Sequence, residues 1–452
     1  MRKTRVAVRK TTARLPKTPL VSRTRRGTRV TPRDAAVAPA LDGSLPLRAR
    51  RLASRSVGVM FESVTETVSS FVGTALAGPP PRGLPKLHPV ARLSPRVVRV
   101  LGGNPGAFTL QGTNAYLIGT GSRRWLLDTG EGRPAFVANL RAAMEAEGVT
   151  ELEGILLTHW HRDHVGGLAD VRRLARELER EGSEGGASPT REESRPLVAY
   201  KRVRHDKGET AIDVRSVDEK AVAEARRAYV DVKDGDVFAS VPGATLRALF
   251  TPGHTEDHVC FVLEEEGAIF AGDCVLNGNT AVFENLAQYS RSLETMRAEL
   301  EKAYARISRD DSMTPERNPP VPVGRLYPSH GDVIRDGSKK LEQYARHRET
   351  REAMFLKTLV QHWRDRPELG GVTKRELTRS VYRDAGVSPL VLRTACEQIA
   401  AQHLGKLVEE GRAIREDRTV YASWVPRTIV SFLPFVFAET RYRPSAAEMM
   451  AY

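Results

Sequence analysis

Seven residues of this chain have the side chains and the placement to hold metal ions, and four of them fall within six positions. His159, His161, Asp163 and His164 stand in the order H-x-H-x-D-H inside the stretch THWHRDHVGG, Thr158 to Gly167. In an extended segment side chains repeat every two residues, so His159 and His161 point the same way and can share one ion. A turn then lets Asp163 and His164 face a second ion. Imidazole and carboxylate are both suitable zinc ligands. Four ligands on one turn cannot complete two sites. Three more candidates come later in the chain: His254 in LFTPGHTEDH, Asp273 in AIFAGDCV and His330 in RLYPSHGDV. Each follows an apolar run and then a small residue or proline, the strand-end position where rigid scaffolds carry reactive groups.

These ligands need elements to position them. RVVRVLGG, NAYLIGTG and RWLLDTG read as short strands broken by glycine, and LEGILLTHWH as a strand running into the first motif. RPAFVANLRAAMEAEG reads as a helix ended by Gly148, and GGLADVRRLARELERE as the helix after the motif, which Gly166 and Gly167 let the backbone enter tightly. YVDVKDGDVF and GATLRALFTPGH read as further strands, DHVCFVLEEEGAIFAGD as a hairpin, and GRLYPSHG as a last strand and turn. Strands and helices in two such runs predict an α/β chain, two mixed sheets packed between helices in an αββα sandwich. The last hundred residues change character. SKKLEQYARHRETREAMFLKTLVQHWR is a long helix, followed by TKRELTRSVY, SPLVLRTACEQIAAQHLGKLVEEG and a short AIREDRTVYASW, the layout of a small winged-helix-like module.

With these motifs in place the chain resembles the metallo-β-lactamase-fold hydrolases with a glyoxalase-II-like ligand set, over about residues 93–350. The resemblance implies that His159, His161 and His254 hold one zinc ion, that Asp163, His164 and His330 hold a second, and that Asp273 bridges them. Two such ions lower the pKa of a shared water, so that hydroxide attacks a carbonyl or phosphoryl centre; Asp163 is the candidate to accept the water's proton. No serine or cysteine nucleophile is required, and Cys274, next to Asp273, reads as a buried thiol. Asn114, in LQGTN, is a candidate for the mouth of the active site or a turn-stabilising residue. His258 either orients a ligand or is a hydrogen-bonded structural histidine. Trp160, between two ligands, is expected to point to the opposite face, into the core.

A closer resemblance lies in SPRVVRVLGGNPGAFTLQGTNAYLIGTG, LLDTGEG, THWHRDHVGG, TPGHTEDH and GNTAVFENL. Together they are similar to the β-lactamase-like protein 2 group, which carries a C-terminal winged helix. That group includes mitochondrial endoribonucleases for single-stranded RNA and fungal thioesterases that release polyketides from an acyl carrier protein. LGGNPGAFTLQGTN and TAVFENLAQYSRSLETM look more like the fungal branch. The departures are Ser329, where the group has glycine, Ala115 after Asn114, and the long insertions; none removes a ligand. The resemblance implies a dinuclear zinc thioesterase of secondary metabolism with an acyl carrier protein as partner. The alternative is a single-stranded RNA endoribonuclease, and a third reading is a metal-holding protein whose winged helix serves as a binding or assembly module; a homodimer is expected as the assembly.

Charge bears on the choice. The net charge is +14, yet residues 1–55 hold 16 Lys/Arg against Asp34 and Asp42, leaving 54 bases and 54 acids in the rest. The body is neutral, so bulk charge gives no support to a phosphate-binding role. Residues 1–33 hold twelve bases and no acid, which reads as a mitochondrial presequence, a solvated basic arm, or an extension ahead of a true start at Met60. Three cysteines without a C-x-x-C pair fit a reducing compartment. The expected organisation is therefore a basic extension and linker (1–87), a hydrolase domain (88–337) with loops near 180–206 and 308–323, a winged-helix-like unit (338–425) and a tail (426–452). The expected location is cytoplasmic or mitochondrial, with no membrane span. YKRVRHDK, at the end of the first insertion, reads either as a contact for an acidic partner or as a solvated loop.

Overall fold

The computed structural model describes residues 79–182, 196–211, 228–308, 323–384, 392–419 and 438–451. The basic arm, residues 183–195 of the first expected loop and 309–322 of the second lie outside them. Eight strands form the first sheet: β1 (Val90–Arg92), β2 (Val97–Leu101), β3 (Asn114–Ile118), β4 (Arg123–Leu127), β5 (Glu151–Leu156), β6 (Ala199–Lys201), β7 (Thr210–Ala211) and β8 (Ala228–Asp231). Their order is β1-β2-β3-β4-β5-β6-β8-β7. The second sheet runs β13-β12-β11-β10-β9, from β9 (Val237–Val241), β10 (Ala244–Phe250), β11 (Val259–Leu263), β12 (Ala268–Gly272) and β13 (Leu326–Pro328).

The two-residue alternation of strands sorts the side chains into layers. Tyr116, Ile118, Trp125 and Leu127 of the first sheet meet Leu246, Phe261 and Phe270 of the second in a core between the sheets. The opposite faces are covered by helices. Ala115, Leu117 and Leu126 pack on α1 (Pro134–Ala146) and α3 (Leu168–Gly182), with the short α2 (Arg162–Val165) between them. Cys260, Val262, Ile269 and Ala271 pack on α4 (Leu286–Ser308) and the start of α5 (Gly337–Asp365). This is the αββα sandwich. Strands covered on both faces explain why NAYLI and VCFVL are buried at every position.

Strand direction brings the candidate ligands to one edge. β4 and β5 are parallel, and so are β12 and β13. β10 is antiparallel to β11, which is antiparallel to β12, so β10 and β12 also run the same way. The stretch YVDVKDGDVF is two strands rather than one. β8 lies in the first sheet and β9 in the second. The turn between them is fixed by Gly235 at φ +83 and by the Asp236 carboxylate, which accepts from the Lys233 amide at 2.7 Å.

The C-terminal unit has its own core, Phe355, Leu356, Leu359, Leu377, Leu404 and Leu407. It joins α5 to α6 (Lys374–Val381), α7 (Glu397–Glu409), α8 (Ala446–Ala451) and a three-stranded sheet ordered β14-β16-β15. Here β14 is Val372–Thr373, β15 is Ala413–Thr419 and β16 is Ala438–Pro444. Thr373 and Glu376 cap α6 reciprocally, satisfying two of its free amides. Part of the expected 426–452 tail is thus the central strand of this sheet, and a boundary at 425 cuts through the unit. No helix among the described residues is long and apolar enough to cross a membrane.

Candidate metal centre

The structure gathers all seven candidate ligands at the edge where β5, β10, β12 and β13 end. His159 Nε2 lies 2.9 Å from His161 Nδ1, and His254 Nε2 lies 3.2 Å and 3.1 Å from those two atoms. Three ring nitrogens thus converge on one point. Beside them, His164 Nε2 and His330 Nε2 each lie 3.2 Å from Asp163 Oδ2. Asp273 stands between the two groups. Its Oδ1 is 3.3 Å from His330 Nε2 and 3.7 Å from His164 Nε2, and its Oδ2 is 3.6 Å from His254 Nε2.

The outward nitrogens of three of the rings are held as metal-ligating imidazoles require. His254 Nδ1 donates to the Val282 carbonyl at 2.7 Å, His159 Nδ1 lies 3.0 Å from Thr158 Oγ1, and His164 Nδ1 lies 2.8 Å from Asp128 Oδ2. Asp128 also accepts from the Thr158 amide at 2.9 Å and from its hydroxyl. It does so from a left-handed backbone, φ +60, at the end of β4. Thr113 Oγ1 donates to Asp163 Oδ2 at 3.0 Å. Gly167 permits the tight entry into α3, since a Cβ there would lie 2.0 Å from the Thr129 carbonyl oxygen. Asp128 and Thr113 were not singled out by the sequence reading. Thr113 pairs with His330 in an isolated bridge just before β3, and Asp128 directly follows β4.

The donor set fits metal ions. Burial, reinforced by the neighbouring rings, holds His159 far below the ordinary histidine range. Burial also brings His254 down to about 3, against the pull of Asp273. These rings keep their lone pairs, the form a metal takes. Burial also disfavours the charged His330 ring, but Asp273 and Asp163 push it up to about 10. A positive charge is thus favoured between the buried carboxylates, which makes that spot a place for a cation. His164 Nε2 and Asp273 Oδ1 are buried without a hydrogen-bond partner among the described residues.

The cluster floors a cleft of about 870 Å³, lined by Phe108, Trp160, Leu276, Val282 and Phe283, by Asn104, Thr109, Asn279 and Thr280, and by Arg133, Arg162, Glu131 and Glu284. Gln398 of α7 reaches it from the C-terminal unit. Burial, with Asp257 and Glu256 nearby, raises the Glu284 carboxyl to about 7. Trp160 is half-buried on this wall, under the Arg204 guanidinium at 4.5 Å, rather than packed in the core. β5 ends at Leu156, so strand alternation no longer sets which way Trp160 faces. Asn114 is 1% exposed and away from the mouth; its amide donates at 2.8 Å to the carbonyls of Pro328 and Gly331, so it braces the His330 turn. Cys274 is buried and free.

Several charges of YKRVRHDK turn inward. Lys201, 0% exposed, lies 2.7 Å from Glu209 and 2.6 Å from Asp257, and Arg204 pairs with the same Glu209 at 3.2 Å. This ties the segment to the His254 loop. Lys201→Met is expected to cost about 3–5 kcal/mol, the range for leaving a buried charge unpaired; the urea midpoint of the full chain measures it, and an unchanged midpoint contradicts the assignment.

Fold and site together define a class, and the chain belongs to it: the metallo-beta-lactamase superfamily, whose sequence pattern matches residues 108–315. It is a hydrolase of that superfamily. It is 36% identical over 337 residues to the lactamase-like protein nscB of Arthroderma gypseum, covering 73% of this chain and 87% of that one. It is 34% identical over 350 residues to the atrochrysone carboxyl ACP thioesterase dmxR1 of Cryptosporiopsis sp., covering 75% and 88%. A beta-lactamase domain protein from Burkholderia ambifaria superposes with a TM-score of 0.48 at 17% identity, covering 82% of this chain and 99% of that one.

Proposed function

We propose that this protein is a dinuclear zinc thioesterase that releases a polyketide-like acyl chain from an acyl carrier protein. His159, His161 and His254 would hold one ion, Asp163, His164 and His330 the other, and Asp273 both. When bound, the ions supply a nucleophilic hydroxide at neutral pH and polarise the attacked carbonyl. The chain's own groups then do the rest. Thr158, Asp128 and Val282 fix the imidazoles from behind, and Thr113 fixes Asp163. Burial works against ionisation of Asp163, but His164 and His330 outweigh it and hold the carboxyl well below its usual range. That suits a ligand better than a proton acceptor. A thiolate is a good leaving group, so hydrolysis of a thioester needs no strong acid opposite the nucleophile.

The observation that carries the substrate class is the wall of the cleft. Phe108 and Val282 are 54% and 60% exposed there, offering apolar surface to an acyl chain. Beyond the ligands, Arg133 and Arg162 are balanced by Glu131 and Glu284, and Arg133 is paired with Glu131 at 3.1 Å. RNA binding calls for a cationic groove with stacking platforms; this wall has aromatic rings, but Glu131 offsets Arg133 and the groove is not cationic throughout. The relatives that act as carrier-protein thioesterases support the same reading. The test compares thiol release from an acyl-carrier thioester with cleavage of single-stranded RNA, on the zinc-loaded chain and on Asp163→Ala. Thiol release that the substitution removes, with RNA left intact, is the expected result. RNA cleavage lost in the variant, with the thioester stable, would overturn the proposal and favour the endoribonuclease reading.

A further inference from the structure

We infer that His258 and Thr251 form a positioning pair that fixes the main chain of Asp273 through a hydrogen-bond chain of set direction beneath the metal ligands. The inference rests on the proposed function only in taking Asp273 as a ligand. The Asp273 amide can only donate, and it points at His258 Nε2 at 3.1 Å. That nitrogen therefore carries the lone pair, and the ring's proton sits on Nδ1. Nδ1 lies 2.9 Å from Thr251 Oγ1. The hydroxyl accepts there and donates its own proton to Cys260 Sγ at 3.2 Å, and the Cys260 thiol faces the Ala271 carbonyl at 3.5 Å. Thr251, His258 and Cys260 are each 0% exposed, so no water can replace a lost partner cheaply.

The backbone is shaped for this contact. Gly272, just before Asp273, has φ +51, and a Cβ there would lie 2.4 Å from His258 Nε2. The ring also packs against two ligands, with centroids 5.2 Å from His159 and 5.8 Å from His254. One side chain thus touches three parts of the metal centre without facing the cleft. His258, Cys260 and Cys274 bring a nitrogen and two sulfurs within 4.8 Å, donors of the kind a soft ion takes. The hydrogen bonds argue against it, because Nε2 is committed to the Asp273 amide and Nδ1 carries the proton.

The test uses the full chain with cobalt(II) as the probe. Thr251→Val keeps the side-chain shape and removes the hydroxyl acceptor for Nδ1–H, leaving the weaker Cys274 sulfur at 3.5 Å, while Thr251→Ser keeps the hydroxyl. Thr251→Val, folded by near-ultraviolet circular dichroism, is expected to bind cobalt about 10–100-fold more weakly, as loss of an outer partner does, with an altered visible cobalt spectrum. Thr251→Ser restores both. Long-range proton–nitrogen NMR of the wild-type rings is expected to show His258 protonated at Nδ1 alone. Cobalt affinity and spectrum unchanged in a folded Thr251→Val, or a proton on Nε2, overturns the inference; should that variant not fold, the wild-type tautomer decides. A wild-type chain that takes a single cobalt ion sinks the two-ion reading, and the tautomer and the Val/Ser contrast still decide this one.

Discussion

Asp273→Ala is expected to lower thioester turnover by more than about 100-fold, beyond the roughly 10–100-fold that loss of an outer partner costs, and to reduce bound metal. The reason is position. The two oxygens of Asp273 face different groups of rings, Oδ1 toward His330 and His164, Oδ2 toward His254. Asp163 contacts the second group through the same oxygen that takes the Thr113 proton, so it is already committed. No other carboxylate of the cluster can stand in for Asp273. Truncation removes the one negative charge shared by both halves, so in the proposed two-ion centre the like-charged ions would face each other without it. Steady-state kinetics and elemental mass spectrometry read the result. A variant with a full metal complement and near-normal turnover would show that Asp273 does not bridge.

The second large effect is expected at Asp128, which lines no cleft. Asp128→Asn keeps the shape, and asparagine tolerates the left-handed backbone at φ +60. Yet the carboxylate accepts on both oxygens, from Thr158 on one side and toward His164 Nδ1 on the other. An amide has only one accepting end. Either Thr158 or His164 then meets an N–H, and the ring that should present Nε2 to the metal is free to turn. Metal affinity is expected to fall by about 10–100-fold, with the folded content unchanged by circular dichroism. Metal competition with a chromophoric chelator measures it; unchanged affinity would mean that His164 is held by packing alone.

The candidate ligands were legible in the sequence because their chemistry is rare and their positions regular. A histidine or aspartate after an apolar run and a glycine or proline marks a strand end, and strands of one direction bring such ends together. Their supports were not legible, because they depend on register. Asp128 reaches Thr158 only because Leu127 pairs with Leu156 across β4 and β5. Asn114 braces carbonyls more than two hundred positions away, so LQGTN alone could not separate a brace from a mouth residue. Lys201 and Arg204 look solvent-facing in YKRVRHDK until Glu209 and Asp257 are seen beneath them. β16, AETRYRP, has too many charges to read as a strand by itself; its pairing with β15 along seven positions makes it one.

The most direct test of a two-ion thioesterase is a metal titration. The full chain is stripped with a chelator, and zinc is returned in measured steps while thiol release from an acyl-carrier thioester is followed. Activity lost on stripping, and rising to a plateau at two zinc ions per chain, is the predicted result. Thiol release that survives stripping, or that is complete at one ion, would contradict the shared role given to Asp273.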